Sequence, residues 1–427
     1  MGRNRTSSRA GSIVALFALC LVLGVWSSQL TAKTFTDDSS LVSTATPEGR
    51  LAVFDDVWET IQERYYDPKF HGIDWQAKRN VFRPAAARAS GTHEFYDVLR
   101  QMIASLKDAH TRVYSPDEKF DWWNPRFVTV GLGIREIEGA PTVIQIEPGS
   151  AAARTDIRPG DVIVRIDDRA VSVAGPRAIA NIFEGPAGTD VKVGWITRNG
   201  KQKSAVLQRY WIQRQLGFSN QRKGKIAVLR IDAFTQSVAL DFSKSLPDVL
   251  EGAEGIILDL RSNGGGDAEA MADVASLFLD EGINLGKFAD RSGASFELQT
   301  YSKRLWRIPR LSPIKLPLVV LTSENTSSAA EILAAALQTR RRARVIGTGT
   351  CGCVLAIRNR HALPDGGLLD VSEFDYRTAA GVRLEGAGIK PDELSPLKRS
   401  DIYSRRDRAF ELAKDFLQKS HWTGFTN

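Results

Sequence analysis

The feature that most constrains the fold is an alternation of apolar strands and helical segments between Lys225 and Pro391. Short aliphatic runs, among them Gly255 to Leu260 and Leu316 to Leu321, are each followed by small or polar residues and then by a helical pattern. Strands that alternate with helices in this way are typical of a sheet covered by helices. The sequence therefore predicts a layered α/β domain.

Composition places the chain among soluble globular proteins. Of 427 residues, 43% are hydrophobic and 25% are charged, and at ~150 residues per domain this length predicts about three domains. The formal net charge is only +7, and no segment interleaves Lys and Arg with aromatic residues, so we expect no nucleic-acid partner. The cysteines and histidines form no cluster with zinc spacing, so no metal and no organic cofactor are expected.

The first 32 residues have the pattern of an export signal. Arg3, Arg5 and Arg9 precede the apolar run Ile13 to Trp26, and cleavage is expected after Ala32. The run suits a signal peptide and is shorter than the ~20 residues that cross a bilayer. An uncleaved membrane anchor is the alternative. In both cases the body of the protein is expected to be exported, to a periplasmic or extracellular location, with a membrane contact only through this segment.

The apolar pattern of residues 51–127 predicts an N-terminal helical region. Apolar residues recur at helical spacing from Leu51, and two more helices are expected at about 75–90 and 93–106. The preceding residues 33–50 are rich in Thr, Ser and Asp, which is typical of a linker.

Residues 128–210 form short β-branched runs separated by Gly and Pro turns, which predicts a small β-rich module. Gly131-Leu132-Gly133-Ile134 before a strand, together with Gly160-Asp161 opening another, resembles a PDZ domain of secreted proteases. The resemblance implies that the backbone N–H groups of Gly131, Leu132, Gly133 and Ile134 bind the terminal carboxylate of a peptide that adds a strand. Thr155-Asp156 departs from the usual Ala-Gly, and a special backbone conformation is expected at Asp156.

Two strand ends carry residues suited to chemistry. The first continues through Asp259-Leu260-Arg261-Ser262-Asn263 into Gly264-Gly265-Gly266, where backbone N–H groups are able to face a cleft without side chains in the way. The second runs through Thr326-Ser327-Ser328 into the helical segment Ala329 to Leu333. Each has a plain structural alternative, a tight turn for the glycines and a helix cap for the serine.

Taken together, the two segments resemble the C-terminal processing (tail-specific) serine proteases. The resemblance rests on Asp-Leu-Arg-x-Asn-x-Gly-Gly followed by Ser-Ala-x-x-Glu-Ile, with the PDZ-like module ahead of both, and it extends from about Leu51 to Asp392. It implies a crotonase-like α/β core, a nucleophile at Ser328, and oxyanion donors at Gly264, Gly265 and Ala329.

The general base of that family is missing from its usual place. The processing proteases carry a lysine 25 residues after the nucleophile, and here that position is Cys353. A neutral serine hydroxyl is a poor nucleophile without a base.

A second branch of the family, typified by the tricorn protease core and similar to interphotoreceptor retinoid-binding protein, uses histidine and glutamate instead. Leu106-Lys107-Asp108-Ala109-His110-Thr111 resembles the segment that brings the histidine in that branch, and Glu385 stands where it has its glutamate. The resemblance implies His110 as general base and Glu385 as the carboxylate that orients it. His361 is a rival base, whereas His71, His93 and His421 are expected to be surface or capping residues.

Cys351 and Cys353 are two residues apart. At normal strand rise their Cα atoms would lie ~6.6 Å apart, near the upper limit for a disulfide. A buried thiol at Cys353, filling the space of the missing lysine, is the favoured interpretation, and a strained disulfide is the alternative.

The sequence thus predicts a multidomain α/β protein with an N-terminal helical region, a PDZ-like β-rich module and a crotonase-like α/β core. The expected boundaries are 1–32 signal or anchor, 33–50 linker, 51–127 helical region, 128–210 PDZ-like domain, 211–397 α/β protease core and 398–427 C-terminal helix. The expected function is an exported serine endopeptidase that takes polypeptide substrates by their C-termini. A catalytically inactive peptide-binding scaffold is the main alternative, and a carrier of small hydrophobic ligands is a third.

Overall fold

The computed structural model describes residues 41–118, 126–171, 182–183, 185–213, 215–301 and 313–420. The predicted export segment 1–32 and His421 lie outside the described residues. Within those ranges, none of the helices combines the length and the apolar character that crossing a membrane requires.

Three helices form the N-terminal region, as predicted: α1 (Pro47–Arg64), α2 (Trp75–Arg88) and α3 (Thr92–Ala104). The Thr46 side chain accepts a hydrogen bond from the Gly49 N–H at 3.1 Å, so the first helix begins ahead of its apolar pattern. The helices bury aromatic and aliphatic side chains such as Phe54 and Leu99 against one another. Leu355 and Leu369, from far later in the chain, complete this core.

A small sheet joins the helical region to the late part of the chain. It contains β1 (Arg112–Tyr114), β19 (Leu368–Asp370) and β18 (His361–Ala362), in that order. Strand β1 pairs antiparallel with β19, with Val113 opposite Leu369. Because β1 begins two residues after His110, this pairing carries the His110 turn to the α/β core.

The PDZ-like module is an antiparallel sheet. Its strands are β3 (Leu132–Ile137), β4 (Ala140–Ile146), β5 (Val162–Ile166), β6 (Arg169–Ala170), β7 (Asp190–Ile196) and β8 (Gln202–Gln208). The order is β3-β4-β5-β7-β8, with β6 beside β5, so β3 is an edge strand of this sheet. A ribbon of β2 (Arg126–Thr129) and β9 (Tyr210–Gln213) brackets the module. Trp195 and Val193 lie in its core.

The expectation for Asp156 was wrong. Asp156 is not among the described residues with positive φ, so its backbone needs no special conformation. Its side chain forms an ion pair with Lys203 instead.

The α/β core is a six-stranded sheet with helices on both faces. The strands, in spatial order, are β10 (Phe218–Lys223), β11 (Ile226–Ile231), β12 (Gly255–Asp259), β15 (Leu318–Thr322), β16 (Arg344–Gly347) and β21 (Glu393–Leu394). All neighbouring pairs from β11 onwards are parallel. One face packs on α4 (Gln236–Leu250), α5 (Ala268–Ala275) and α6 (Ala329–Thr339). The other packs on α8 (Arg408–Ser420), which follows the short α7 (Arg399–Tyr403).

A further sheet that the sequence analysis did not predict lies within the same domain. Its strands, in spatial order, are β14 (Ser295–Gln299), β13 (Asn284–Asp290), β20 (Ser372–Arg377) and β17 (Ala356–Ile357). Strand β17 follows the two cysteines and β20 precedes Glu385, so this sheet positions segments on either side of the candidate site.

Candidate active site

The two segments singled out in the sequence meet at one edge of the six-stranded sheet. Strands β12 and β15 are parallel neighbours, with Asp259 opposite Leu321. The pairing continues one residue further, because the Leu260 N–H donates to the Leu321 carbonyl at 3.0 Å. Carboxyl ends of parallel strands are where α/β folds usually place a site.

Hydrogen bonds hold the loop before Ser328 against the end of β12. The Ser323 hydroxyl donates to the Arg261 carbonyl at 2.6 Å, and the Thr326 hydroxyl donates to the Leu260 carbonyl at 2.8 Å. The Ser327 N–H donates to the Asn263 carbonyl at 3.1 Å. The backbone approaching Ser328 is therefore closely constrained.

Ser328 itself lies in a conformation that serine rarely adopts. Its φ is 55° and its ψ is −127°, at the residue that precedes α6. A non-glycine residue in this region costs on the order of 1–3 kcal/mol and persists only where its surroundings impose it. Sharp strand-to-helix turns of this kind present a serine hydroxyl at a helix N-terminus in several hydrolases.

Gly265 packs directly against this turn. Its φ is +96°, and a Cβ added there would lie 2.6 Å from the Ser328 Cβ and 3.1 Å from the Ala329 nitrogen. Gly264 is more open, since a Cβ there would meet only the Ser327 Oγ, at 4.0 Å. The predicted oxyanion residues are thus gathered around the serine turn.

The N–H groups of Gly264, Gly265 and Ala329 differ in whether they already donate to an acceptor within the protein. The Gly265 N–H donates to the Oδ1 of the buried Asn263 at 2.8 Å. The Ala329 N–H opens a helix and therefore has no acceptor within that helix. Ala329 and Gly264 are the two predicted donors that Asn263 does not engage, and Gly265 serves only if its bond to Asn263 opens.

A buried carboxylate that sequence reasoning missed lies beneath the serine turn. Glu331 is 0% exposed and accepts four hydrogen bonds. Its donors are the Ser328 N–H (3.0 Å), the Thr350 hydroxyl (2.5 Å), the Gly352 N–H (2.7 Å) and the Cys353 N–H (2.9 Å). Burial raises the pKa of Glu331, and the four donors oppose that shift. A glutamate inside the apolar stretch of α6 was the available signal.

Cys351 and Cys353 form a disulfide, so the favoured interpretation of a buried free thiol was wrong. The segment is not an extended strand. Gly352 has φ +68°, and this turn brings the two Cα atoms to 5.2 Å, within the ordinary range for a disulfide. Position 353, where the family resemblance implied a lysine, therefore holds half of a cystine.

Asp108 and Ser372 hold the His110 turn in place. The His110 and Thr111 N–H groups donate to Asp108 Oδ1 at 2.8 and 2.6 Å. The Ser372 hydroxyl, at the start of β20, donates to the same oxygen at 3.0 Å. These bonds attach the turn to the α/β core at a point 264 residues later in the chain.

Glu385 contacts the backbone that follows the cystine loop, and it lies close to the His110 turn. Its Oε2 accepts hydrogen bonds from the Val354 N–H (2.7 Å) and the Leu355 N–H (3.2 Å). Burial raises the pKa of Glu385, and the nearby charge of Asp108 adds to the effect. Burial likewise raises the pKa of Tyr65, with both Asp108 and Glu385 contributing. Tyr65, Asp108 and Glu385 therefore form one cluster.

The rival base His361 contacts α1, whereas His71 borders the Tyr65 cluster, its Nε2 lying 3.3 Å from the Tyr65 hydroxyl. His361 Nε2 lies 2.8 Å from the Asp56 carboxylate and 3.5 Å from the Thr60 hydroxyl, which ties it to α1. His71 Nε2 lies 2.9 Å from the Tyr66 hydroxyl.

The predicted peptide-binding loop lies at the free edge of the PDZ-like sheet. Gly131 has φ +84°, and a Cβ there would lie 2.2 Å from the Ser150 Cβ, so only glycine fits. Its N–H donates to the Thr129 hydroxyl at 3.0 Å. Further along the same strand, Arg135 donates through Nε to Glu324 at 2.7 Å, four residues before Ser328. The edge strand is thereby linked to the loop that leads to the serine.

Comparisons with known proteins agree with this architecture. Peptidase family S41 matches residues 225–395, the tricorn protease C1 domain matches residues 47–104, and the PDZ domain matches residues 128–208. The chain is 28% identical over 387 residues to the carboxyl-terminal-processing protease of Synechocystis sp., covering 84% of this chain and 85% of that protein. It is 26% identical over 385 residues to the carboxy-terminal processing protease CtpA of Bacillus subtilis, covering 88% of this chain and 76% of that protein.

Solved structures lead to the same assignment. The photosystem II D1 C-terminal processing protease has a TM-score of 0.53 at 26% identity, covering 82% of this chain and 93% of that one. Mature CPAF has a TM-score of 0.64 at 15% identity, covering 87% and 96%, a likeness of fold alone. The predicted fold class and resemblance are confirmed: residues 225–395 match peptidase family S41, and most of the chain is similar to carboxyl-terminal-processing proteases, so this is a serine peptidase with a PDZ domain ahead of its α/β core.

Proposed function

We propose that this protein is an exported serine endopeptidase in which Ser328 is the nucleophile, His110 the general base and Glu385 the carboxylate that orients the base. One observation carries the proposal: Ser328 is held in a left-handed conformation at a helix N-terminus, with Gly265 packed against it. A helix cap normally has an extended backbone and needs no such strain, whereas strained backbone of this kind clusters at active sites.

The proposed reaction is acyl transfer in two halves. His110 takes the Ser328 proton as the hydroxyl oxygen attacks the scissile carbonyl, and returns it to the leaving amine. The N–H groups of Ala329 and Gly264 donate to the oxyanion, joined by Gly265 if its bond to Asn263 opens. Water then releases the acyl group, with His110 again acting as base.

The choice of histidine follows from the cystine loop. A disulfide sulfur at position 353 is no proton acceptor comparable to an amine. The charge of Asp108, two residues before His110, contributes to the raised pKa of Glu385, so the two carboxylates are within electrostatic reach, which supports a base from this turn. His361 is the weaker candidate because its Nε2 contacts Asp56 and Thr60.

The PDZ-like module is proposed to bring in polypeptide C-termini. Among the strands that the structure describes, β3 pairs within its sheet on one side only, with β4, as strand addition by a peptide requires. Gly131 precedes this strand and Leu132 to Ile134 open it, so their N–H groups are the proposed carboxylate donors, with Gly131 joining them once its bond to the Thr129 hydroxyl opens. Export rests on the basic and apolar pattern of residues 1–32, and amino-terminal sequencing of the secreted protein tests it: a mature chain that starts at Lys33 is expected.

The deciding experiment measures labelling by a fluorophosphonate together with hydrolysis of an unfolded protein substrate. Wild type is expected to react, Ser328→Ala to lose labelling, and Ser327→Ala, changed at the adjacent residue, to keep it. His110→Ala is expected to lose on the order of 10²- to 10⁴-fold in rate, whereas His361→Ala keeps its activity.

Other outcomes are equally informative. Equal rates for wild type and His110→Ala would remove histidine from the mechanism. A wild-type protein that binds peptides with a free carboxylate, but neither labels nor hydrolyses, would be the inactive scaffold. Binding that is unchanged when the peptide terminus is amidated would remove the proposed C-terminal recognition.

A further inference from the structure

The proposed mechanism makes no use of the Cys351–Cys353 disulfide, although it lies at the centre of the site. We propose that this cystine is a thiol–disulfide exchange site, through which dithiol reductants and disulfide oxidants control the geometry around Ser328. The effect on activity rests on the proposed function, but the structural change does not.

The cystine loop contacts both sides of the site. On one side, the Gly352 and Cys353 N–H groups donate to Glu331, the carboxylate that also accepts the Ser328 N–H. On the other, the Gly386 N–H donates to the Gly352 carbonyl at 2.8 Å. A change in this loop therefore reaches the nucleophile turn and the Glu385 segment together.

The loop is also attached to the approach to Ser328. The Cys351 N–H donates to the Thr326 carbonyl at 3.0 Å, two residues before the nucleophile. A Cβ at Gly352 would lie 2.9 Å from the nitrogens of Ala387 and Gly388, so the loop has little room to rearrange while the disulfide is closed.

Accessibility favours exchange at one sulfur. Cys351 is exposed, whereas Cys353 is partly buried. An external thiolate is therefore expected to attack the Cys351 sulfur, forming a mixed disulfide and releasing the Cys353 thiolate. The second thiol of a dithiol reductant then attacks the mixed disulfide, releasing Cys351. The reductant leaves as a disulfide, its two electrons have passed to the cysteines, and each cysteine thiolate takes up a proton.

The expected effect is local. A disulfide that closes so short a loop constrains the unfolded chain least, so its loss leaves global stability little changed. Without the bond, an extended backbone would separate the two Cα atoms by ~6.6 Å instead of the observed 5.2 Å. The Gly352 and Cys353 N–H groups would then leave Glu331. Fewer hydrogen bonds around Glu331 would then hold the strained backbone conformation of Ser328 in place.

Hydrogen exchange tests this coupling without any activity. Full-length protein is compared oxidised, reduced with dithiothreitol and reoxidised, following peptides that span residues 326–333 and 350–355. Losing two ordinary hydrogen bonds predicts about a tenfold faster exchange in both peptides on reduction, reversed by reoxidation. Cys351→Ser/Cys353→Ser should exchange like the reduced protein in either condition. Unchanged exchange on reduction would overturn the inference.

Fluorophosphonate labelling of the same samples separates the two proposals. Labelling that falls about tenfold on reduction and returns on reoxidation supports both. Equal labelling in both states would overturn the redox inference and leave the proposed function intact. Absence of labelling in every state would remove the proposed function, and the exchange result alone would then decide the inference.

Discussion

Gly265 lies so close to Ser328 that a single added carbon would sit 2.6 Å from the serine Cβ. The contact joins the ends of two neighbouring parallel strands, and it places the glycine turn against the first N–H of α6. The left-handed conformation of Ser328 and the positive φ of Gly265 depend on each other, because neither segment has room to relax past the other.

Substituting alanine at Gly265 is therefore expected to disrupt the site. Both the added carbon and the φ of +96° disfavour Gly265→Ala, and we expect labelling to fall about 10²-fold or more, as for loss of an oxyanion donor. Gly217→Ala is the control, since a Cβ there would meet nothing within 4 Å and its φ is not positive. Labelling rates and circular dichroism of both variants check this, and equal labelling would show that the close packing does not matter to the site.

Glu385→Gln separates charge from hydrogen bonding. The amide oxygen is still able to accept the Val354 and Leu355 N–H groups, but the negative charge is lost. We expect kcat to fall by about 10²- to 10⁴-fold with little change in the free energy of unfolding. Glu385→Ala should also lose about 1–3 kcal/mol of stability, because it leaves buried N–H groups without an acceptor. A Glu385→Gln enzyme with wild-type kcat would show that the carboxylate does not act on the base.

Two ion pairs attach the PDZ-like module to the core, and they should differ in strength. Burial alone would raise the pKa of Glu324, but the hydrogen bond and charge of Arg135 outweigh it and hold that pKa below its usual value. Arg135→Ala should cost about 1–3 kcal/mol of unfolding free energy, because Glu324 loses a partly buried partner. Arg399→Ala removes an exposed pair with Glu138 and should cost at most about 1 kcal/mol. Urea denaturation of both checks this, and equal costs would contradict it.

The pair between α1 and α2 should make stability depend on pH. Arg83 donates to both oxygens of Asp55, and this hydrogen bonding holds the pKa of Asp55 below its ordinary value of 3.8. A carboxyl with a lowered folded pKa adds stability above its unfolded pKa and loses it as pH falls through the folded pKa. Asp55→Asn should therefore lower the free energy of unfolding at pH 7 by about 1 kcal/mol. The loss should be much smaller at a pH below both the folded and the unfolded pKa of Asp55.

The measurement is the free energy of unfolding of wild type and Asp55→Asn, determined by denaturation at a series of pH values from 7 down to below the pKa of Asp55. Asp241→Asn is the control, because its ion pair with Lys244 is exposed and loose, at 3.8 Å. A difference between wild type and Asp55→Asn that stays constant as pH falls would exclude the linkage.

The local patterns of the sequence predicted many, though not all, of the helices and strands of this protein. Apolar periodicity located the three N-terminal helices, and the glycine-separated runs located the PDZ-like strands. The strand–serine–helix and strand–glycine segments, predicted to face each other, follow the neighbouring strands β15 and β12. These features are local because hydrophobic spacing and turn residues act over a few positions of the chain.

What only the tertiary structure decided involves exact backbone conformation and contacts between groups far apart in the chain. The cystine at Cys351 and Cys353 depends on the left-handed turn at Gly352, and the importance of Glu331 depends on donors that come from 19 to 22 residues further on. The closeness of Asp108 to Glu385 depends on β1 pairing with β19. No spacing rule in one sequence reports such contacts, because strand pairing and the burial of a carboxylate are decided by how whole elements pack.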